Sequence, residues 1–456
     1  MVGVLLVGCL GAGSVRARMA QPAEIPGSWE WKDDPLPDLA EIVARPRAEF
    51  PVYGLYGWAG EYLRFRADIR AVGWPAFRLG GPVTDEIVAT LAEDELSYFV
   101  TAGSRELRRD RFADDESFLA AYERHLAALL ERYGPGGRFF AERPEVPNRP
   151  LRFVEIWNEP NFQYMIPDDP HRPRAELEAE RAALYAKLLP RAFGLVKARW
   201  PDVRAIGFSA GGSAAADARW FRAVLDLDPA VARAFDIAST HPYVQPAPPE
   251  AHSIRKWGSY SIASSLAAVR AVLAAHGRGD APIWYTEIGW PISKADGGYF
   301  DDAPNAVFVS PELQAAYVVR TYAWALRLGV DHVFVMFTTD SDRFNAGFFT
   351  RSGAWRPSAH AVQTMIRQMP HPHLLGALSD GDEGNFIYRF SPRAGDDVAP
   401  TIVAWRVTGM RRVRVPIAGA RARVTDMLGG EEIVPTAAGA VEIEIGPLPV
   451  YVTPAP

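Results

Sequence analysis

Eight short apolar runs, separated by stretches with a helical period, narrow what this chain can become more than any other feature. The runs lie at residues 52–58, 76–80, 96–101, 152–157, 204–209, 235–241, 282–287 and 332–337. Helix-period segments fall between them, at 116–133, 175–200, 262–276 and 311–329 among others. In the second, Leu184, Leu188, Ala192 and Leu195 recur every three to four residues, which places them on one helix face. Strands alternating with helices build a parallel sheet, and eight such pairs close a (β/α)8 barrel, an α/β fold. Pro190 predicts a kink or a break in the second helix. The gap after the fourth run, with Pro167, Pro170 and Pro173, reads as a βα loop over the barrel mouth.

After Met369-Pro370 the pattern changes. Short alternating runs at 385–390, 401–407, 412–416, 423–427, 441–445 and 450–452 are separated by turns carrying Gly395, Gly429, Gly430 and Gly439. They predict a small antiparallel β-sandwich. The expected organisation is a leader at 1–27, a linker at 28–49, the barrel at 50–372 and the sandwich at 380–456. Residues 2–10 are almost wholly apolar, too short a run to span a bilayer. The box Leu6-Val7-Gly8-Cys9 resembles a lipoprotein cleavage site, so the expectation is an extracytoplasmic protein with a lipid anchor at Cys9. No Lys or Arg precedes the run, which a start codon upstream of Met1 would explain.

Composition removes several classes of partner. Lys and Arg number 49 against 55 Asp and Glu, for a net charge of −6, and no basic run supplies the clustered charge that nucleic acid needs. A single Cys excludes an internal disulfide and a Cys-rich metal site. The nine His show no ligand spacing, so neither a metal nor a cofactor is expected. Aromatic residues make up 11%, which suits a surface that stacks rings on flat ligands.

The chemistry-bearing residues sit where barrel enzymes keep them, at the C-terminal ends of strands. The fourth run ends Glu155-Ile156-Trp157-Asn158-Glu159-Pro160, and the seventh ends Thr286-Glu287-Ile288-Gly289-Trp290-Pro291. Burial at a strand end raises a carboxyl pKa. One poised acid and one carboxylate across a cleft are what glycosidic cleavage requires. The plainer alternative is that each Glu only accepts a bond from a barrel arginine such as Arg78. Glu155 shares the strand face of Trp157 and reads as a core partner of Arg78.

Trp157-Asn158-Glu159-Pro160, His241-Pro242-Tyr243 and Thr286-Glu287-Ile288-Gly289-Trp290 together resemble the clan A glycoside hydrolases. Within the clan the chain is most similar to family 39 and its relatives, with family 5 next, over residues 50–369. The resemblance implies hydrolysis with retention of anomeric configuration, Glu159 as general acid/base and Glu287 as nucleophile. It also implies that Asn158 bonds the sugar 2-hydroxyl and that Tyr243 or His241 holds the other oxygen of Glu287. Many clan members floor the sugar site with a Trp at the end of the eighth strand. Here that strand reads Val335-Met336-Phe337-Thr338, leaving Phe337 or Trp290 to substitute.

The implied substrate is a poly- or oligosaccharide. Two other readings share these residues: a non-catalytic carbohydrate-binding or polysaccharide-export accessory protein, and a transglycosylase. Gly207-Phe208-Ser209-Ala210-Gly211 mimics a nucleophile elbow but has no His/Asp partners in order, so it reads as a tight loop. Trp257, Tyr260, Tyr299 and Phe300 are candidates for sugar stacking or lid packing, and Asp33-Asp34 and Asp301-Asp302 for ordinary solvated surface.

Overall fold

Strands form along all eight apolar runs. The computed structural model describes residues 28–456 apart from 104–106, 163, 213, 256–257, 304–305 and 395–397. The leader with Cys9, and the expectations for Trp257 and Gly395, lie outside the described residues. The barrel strands are β1 (Tyr53–Trp58), β2 (Ala76–Gly80), β3 (Ser97–Ala102), β4 (Phe153–Ile156), β5 (Arg204–Ala210), β6 (Ile237–Thr240), β7 (Ile283–Ile288) and β8 (His332–Met336). Each pairs in parallel with its neighbours, and β8 pairs back onto β1, so the barrel closes. A helix follows every strand, from Ala59–Val72 after β1 to Pro357–Gln368 after β8. No helix among the described residues is long and apolar enough to cross a membrane.

The barrel interior is built in layers by the period-two alternation of its strands. Its floor is apolar, with Ala76, Phe99, Phe153, Ile206, Ile237, Trp284 and Phe334 in one buried cluster. Each fully buried ring stabilises the fold by about 2 kcal/mol relative to exposure. Gly54 is needed here, because a Cβ at that position would sit 2.4 Å from the Phe334 ring. Two residues further along the same strands the layer turns polar, with Arg78 after Ala76, Glu155 after Phe153, Ser239 after Ile237 and Thr286 after Trp284, all buried. The candidate site rests on this layer.

One helix, Arg174–Arg199, runs through Pro190 without the expected break. Proline removes a single backbone donor, and the buried face of Leu184, Leu188, Leu189, Ala192 and Val196 holds both halves against the barrel. The stretch before this helix is the βα loop that leaves the C-terminal end of β4. Buried Arg181 reaches back into it, donating to the Ile166 carbonyl and pairing with Asp168 at 2.7 Å.

Beyond the barrel, β9 (His373–Asp380), β10 (Asn385–Ser391), β11 (Thr401–Arg406), β12 (Arg411–Pro416), β13 (Arg421–Asp426), β14 (Glu431–Pro435), β15 (Ala440–Ile445) and β16 (Val450–Ala455) form two antiparallel sheets. Six strands run in the order β9-β10-β11-β16-β13-β14, and β12 pairs with β15. Ile387, Ile402, Val415, Val424, Ile443 and Val452 fill the space between the sheets. Phe386, Tyr388 and Phe390 alternate with Ile387 and join the main core on the barrel side. The sheet begins ahead of residue 380, because β9 is a largely exposed edge strand without the apolar alternation that marks the others.

Residues 28–49 are not a free linker. Trp29–Glu30 pairs with His252–Arg255, Trp31 packs edge-on against Phe386, and Asp38 caps the helix Leu39–Ala44. Asp34 is half-buried rather than solvated, 2.9 Å from His252 Nε2 and bonded by the Ser261 hydroxyl. Arg45 pairs with Asp331 at 2.7 Å, and Arg47 bonds Ser391 at 2.9 Å. The segment is a strap docked on both the barrel and the C-terminal sheet.

Candidate active site

At the mouth, β4 ends in a strained turn. Trp157 and Glu159 both have positive φ, 70° and 46°, a region costly for any residue with a Cβ. The turn is held by the Glu159 N–H donating to the Ser209 carbonyl at 3.0 Å and by Trp157 packed on Phe118 and Tyr122. The strain swings the Glu159 side chain over the barrel axis. Room for it comes from Gly211, where a Cβ would lie 2.1 Å from Glu159 Oε1. The elbow-like run is thus the end of β5, bent at Phe208 and Ser209 (φ 75° and 39°). Ser209 donates to Glu155 at 2.8 Å instead of acting as a nucleophile.

Glu287 arrives by an irregularity. Strict alternation would send Thr286 and Glu287 to opposite faces, but the β7–β8 register shifts between Tyr285 and Ile288. Thr286 consequently meets Ser239 and His241, while Glu287 meets Arg78 and Tyr243. One oxygen each of Glu159 and Glu287 and a ring nitrogen of His241 all lie within 4.8 Å of one another.

The two carboxyls have opposite surroundings. Burial pushes Glu159 up to about 7, against the pull of the Arg78 cation. Its Oε1 lies 3.0 Å from His241 Nδ1. Burial likewise pushes His241 down to about 4, so its ring is neutral near pH 7. A neutral imidazole has one donor and one acceptor nitrogen. With Nε2–H donating to Thr286 at 3.0 Å, Nδ1 is left to accept from the protonated Glu159. Glu287 instead takes a charge-assisted bond from Arg78 at 2.7 Å and the Tyr243 hydroxyl on its other oxygen. Burial and the Glu287 charge push the Tyr243 hydroxyl well above its ordinary pKa, which keeps it a donor.

Arg78 organises the layer below. It donates to Glu155 at 2.7 Å, to Glu287 and to Asn158, with its guanidinium 4.3 Å from the Tyr56 ring centroid. Burial opposes its charge, but Glu155 and Glu287 hold its pKa above the ordinary range. Glu155 is therefore the core partner expected of it, held below its ordinary pKa, against burial, by Arg78.

The expected site residues divide. Glu159, Glu287, His241, Tyr243 and Asn158 converge on one cleft, and of the two candidates to hold Glu287, Tyr243 does so while His241 turns to Glu159. Arg78 is 1% exposed and positions carboxylates rather than touching a ligand. Trp290 is 1% exposed; its indole N–H donates to the Ala247 carbonyl at 2.8 Å and its ring packs on Tyr317, so no face is open for stacking. The Phe337 ring packs against both Tyr56 and Trp58. The eighth strand instead offers Met336 to the site, its sulfur 3.0 Å from the Tyr243 oxygen. The sequence reading missed Gly211, Ser209, Tyr56 and the half-exposed Trp58, which stacks on Tyr56 at 5.2 Å. The Tyr56–Trp58 spacing, two apart at a strand end, was the available signal.

Two Glu and a His could in principle ligate a metal. The donor set argues against it, since the Arg78 cation on Glu287 already balances its charge and would repel a second cation.

No family model matches the chain, and no curated protein resembles it in sequence. Solved structures do. A family 39 glycoside hydrolase from Bacteroides cellulosilyticus WH2 aligns with a TM-score of 0.64 at 21% identity, covering 89% of this chain and 81% of that one. It has the fold of the family 39 glycoside hydrolases. A monomeric β-xylosidase from Caulobacter crescentus CB15 aligns at 0.58 and 15% identity, over 90% and 98% of the two chains. A glucosidase from Croceicoccus marinus aligns at 0.57 and 14%, over 91% and 98%. The family 39 fold expected from the strand-end motifs is the one found.

Proposed function

We propose that this protein is a retaining glycoside hydrolase acting on a poly- or oligosaccharide. The observation that carries the reading is the approach of Glu159 and Glu287 oxygens to within 4.8 Å, with a poised acid on one side and an arginine-bound carboxylate on the other. Retaining enzymes need carboxyl groups about 5–5.5 Å apart, whereas inverting ones leave about 6.5–9.5 Å for a water. Glu159 protonates the leaving glycosidic oxygen as Glu287 attacks the anomeric carbon, forming a glycosyl ester. Glu159, now ionised, takes a proton from water, which attacks the same carbon and releases Glu287. Asn158, whose Oδ1 accepts from Arg78, keeps its amide N–H2 for a sugar hydroxyl. Acylation at Cys9 would hold this activity outside the cytoplasm.

Small-residue variants with added azide test the roles. Glu287→Gly should yield the glycosyl azide of inverted configuration, and Glu159→Ala the retained one. Absence of both products, or activity within about tenfold of wild type in either variant, would overturn the assignment.

A further inference from the structure

Beside the catalytic cleft lies a second pocket of about 210 Å³, formed by the loops after β6, β7 and β8. It is continuous with the site, because Phe344 lines it and packs edge-on against the Tyr243 ring, while Gln245 follows Tyr243 by two residues. Its charged lining is Arg255, Arg343, Asp301 and Asp302. The two aspartates share Lys294: Asp302 accepts its backbone N–H at 2.7 Å, and Asp301 lies 3.9 Å from its Nζ. Neither arginine pairs with a carboxylate among the described residues. Arg255 donates only to the Gln245 carbonyl, and Arg343 is held exposed on a turn with φ 62°. Gln245 adds a buried side-chain oxygen, Oε1, with no hydrogen-bond partner, an acceptor for a hydroxyl.

We infer that this pocket is a subsite for a sugar bearing an anionic group, a carboxylate or a sulfate, so that the substrate is an acidic glycan. Arginine forks match such groups with two parallel N–H bonds. Gln245 Oε1 accepts from a ring hydroxyl, and Phe344 and Pro291 give the ring an apolar wall. The inference rests on the glycosidase reading for the neighbouring cleft, but its test reads binding directly.

The full chain and the Arg255→Ala/Arg343→Ala double variant are titrated with glucuronate, glucose 6-sulfate and glucose by ligand-observed NMR, and assayed on a panel of uncharged aryl monoglycosides. Wild type should bind glucuronate or the sulfate about tenfold more tightly than glucose. Which of the two binds tells carboxylate from sulfate. The double variant should lose that preference while keeping aryl-glycosidase activity within about twofold, since neither arginine bonds Glu159, Glu287, His241 or Tyr243. Equal binding of all three by wild type, or a preference that survives in the double variant, overturns the subsite. Failure to hydrolyse any aryl glycoside would count against the hydrolase reading alone.

Discussion

Arg78 and Arg320 are each only 1% exposed, and they are used differently. Arg320 faces Glu250 at the junction with the C-terminal sheet, with 3.0 Å between Nε and Oε1 and a further bond to the Pro447 carbonyl. Both side chains of that pair are fully excluded from solvent, so its charges are spent on each other. Arg78 serves three acceptors, and one of them, Glu287, keeps 11% of its side chain open to the cleft. A closed pair braces the barrel from within and leaves one N–H for the C-terminal sheet. An open one lends its charge to a carboxylate that can still reach a ligand.

Charge-removing variants separate the two uses. Glu287→Gln should lower kcat by at least roughly 10⁴-fold while thermal unfolding followed by circular dichroism stays close to wild type. A variant that unfolds early would make Glu287 structural, like Glu250. Glu250→Gln leaves Arg320 buried without its partner and should cost about 3 kcal/mol of stability in urea unfolding, with kcat little changed. Loss of activity without loss of stability would break the contrast.

Geometry can be disturbed without touching charge. Gly211→Ala puts a methyl group where Glu159 Oε1 lies and should reduce kcat about 10²-fold through misplacement of the acid. A reduction equal on substrates with good and poor leaving groups would show that the acid is not what moved. The smallest effect is in the pH profile. Because burial holds Glu159 at about 7, kcat on substrates with poor leaving groups should fall as pH rises through about 7. The stability that its proton uptake contributes should decline in the same direction. Dinitrophenyl glycosides, which leave without protonation, should not show that limb in wild type, and Glu159→Gln should lack it on every substrate.

The parts of the molecule legible in advance are those whose information is local. All eight barrel strands appear as apolar runs, and Glu159 and Glu287 stand at strand ends with their motifs intact. What stayed hidden depends on contacts between distant residues. The strap looks like a linker because Asp34 finds His252 and Arg45 finds Asp331 only in the fold. Strand β9 is invisible because its exposed edge carries no apolar alternation. Trp290 looks like a platform beside Glu287, and only the packing of Tyr317 and the Ala247 carbonyl shows it turned inward. Gly211 gives no signal at all, since its importance is the volume of a side chain fifty-two residues earlier in the chain.

The strap also bears on how the protein can be made. Residues 28–49 leave the ribosome ahead of every barrel strand, yet Trp31 and Arg47 rest on Phe386 and Ser391, and β1 waits for β8. Contacts of such long sequence separation form late and slowly. A growing chain therefore carries an unclosed barrel, with β1 and its apolar neighbours exposed, until β8 (His332–Met336), about three-quarters of the way along the sequence, has been synthesised. Translation speed and chaperone cover over that interval, rather than the stability of the finished fold, should set the yield of active protein.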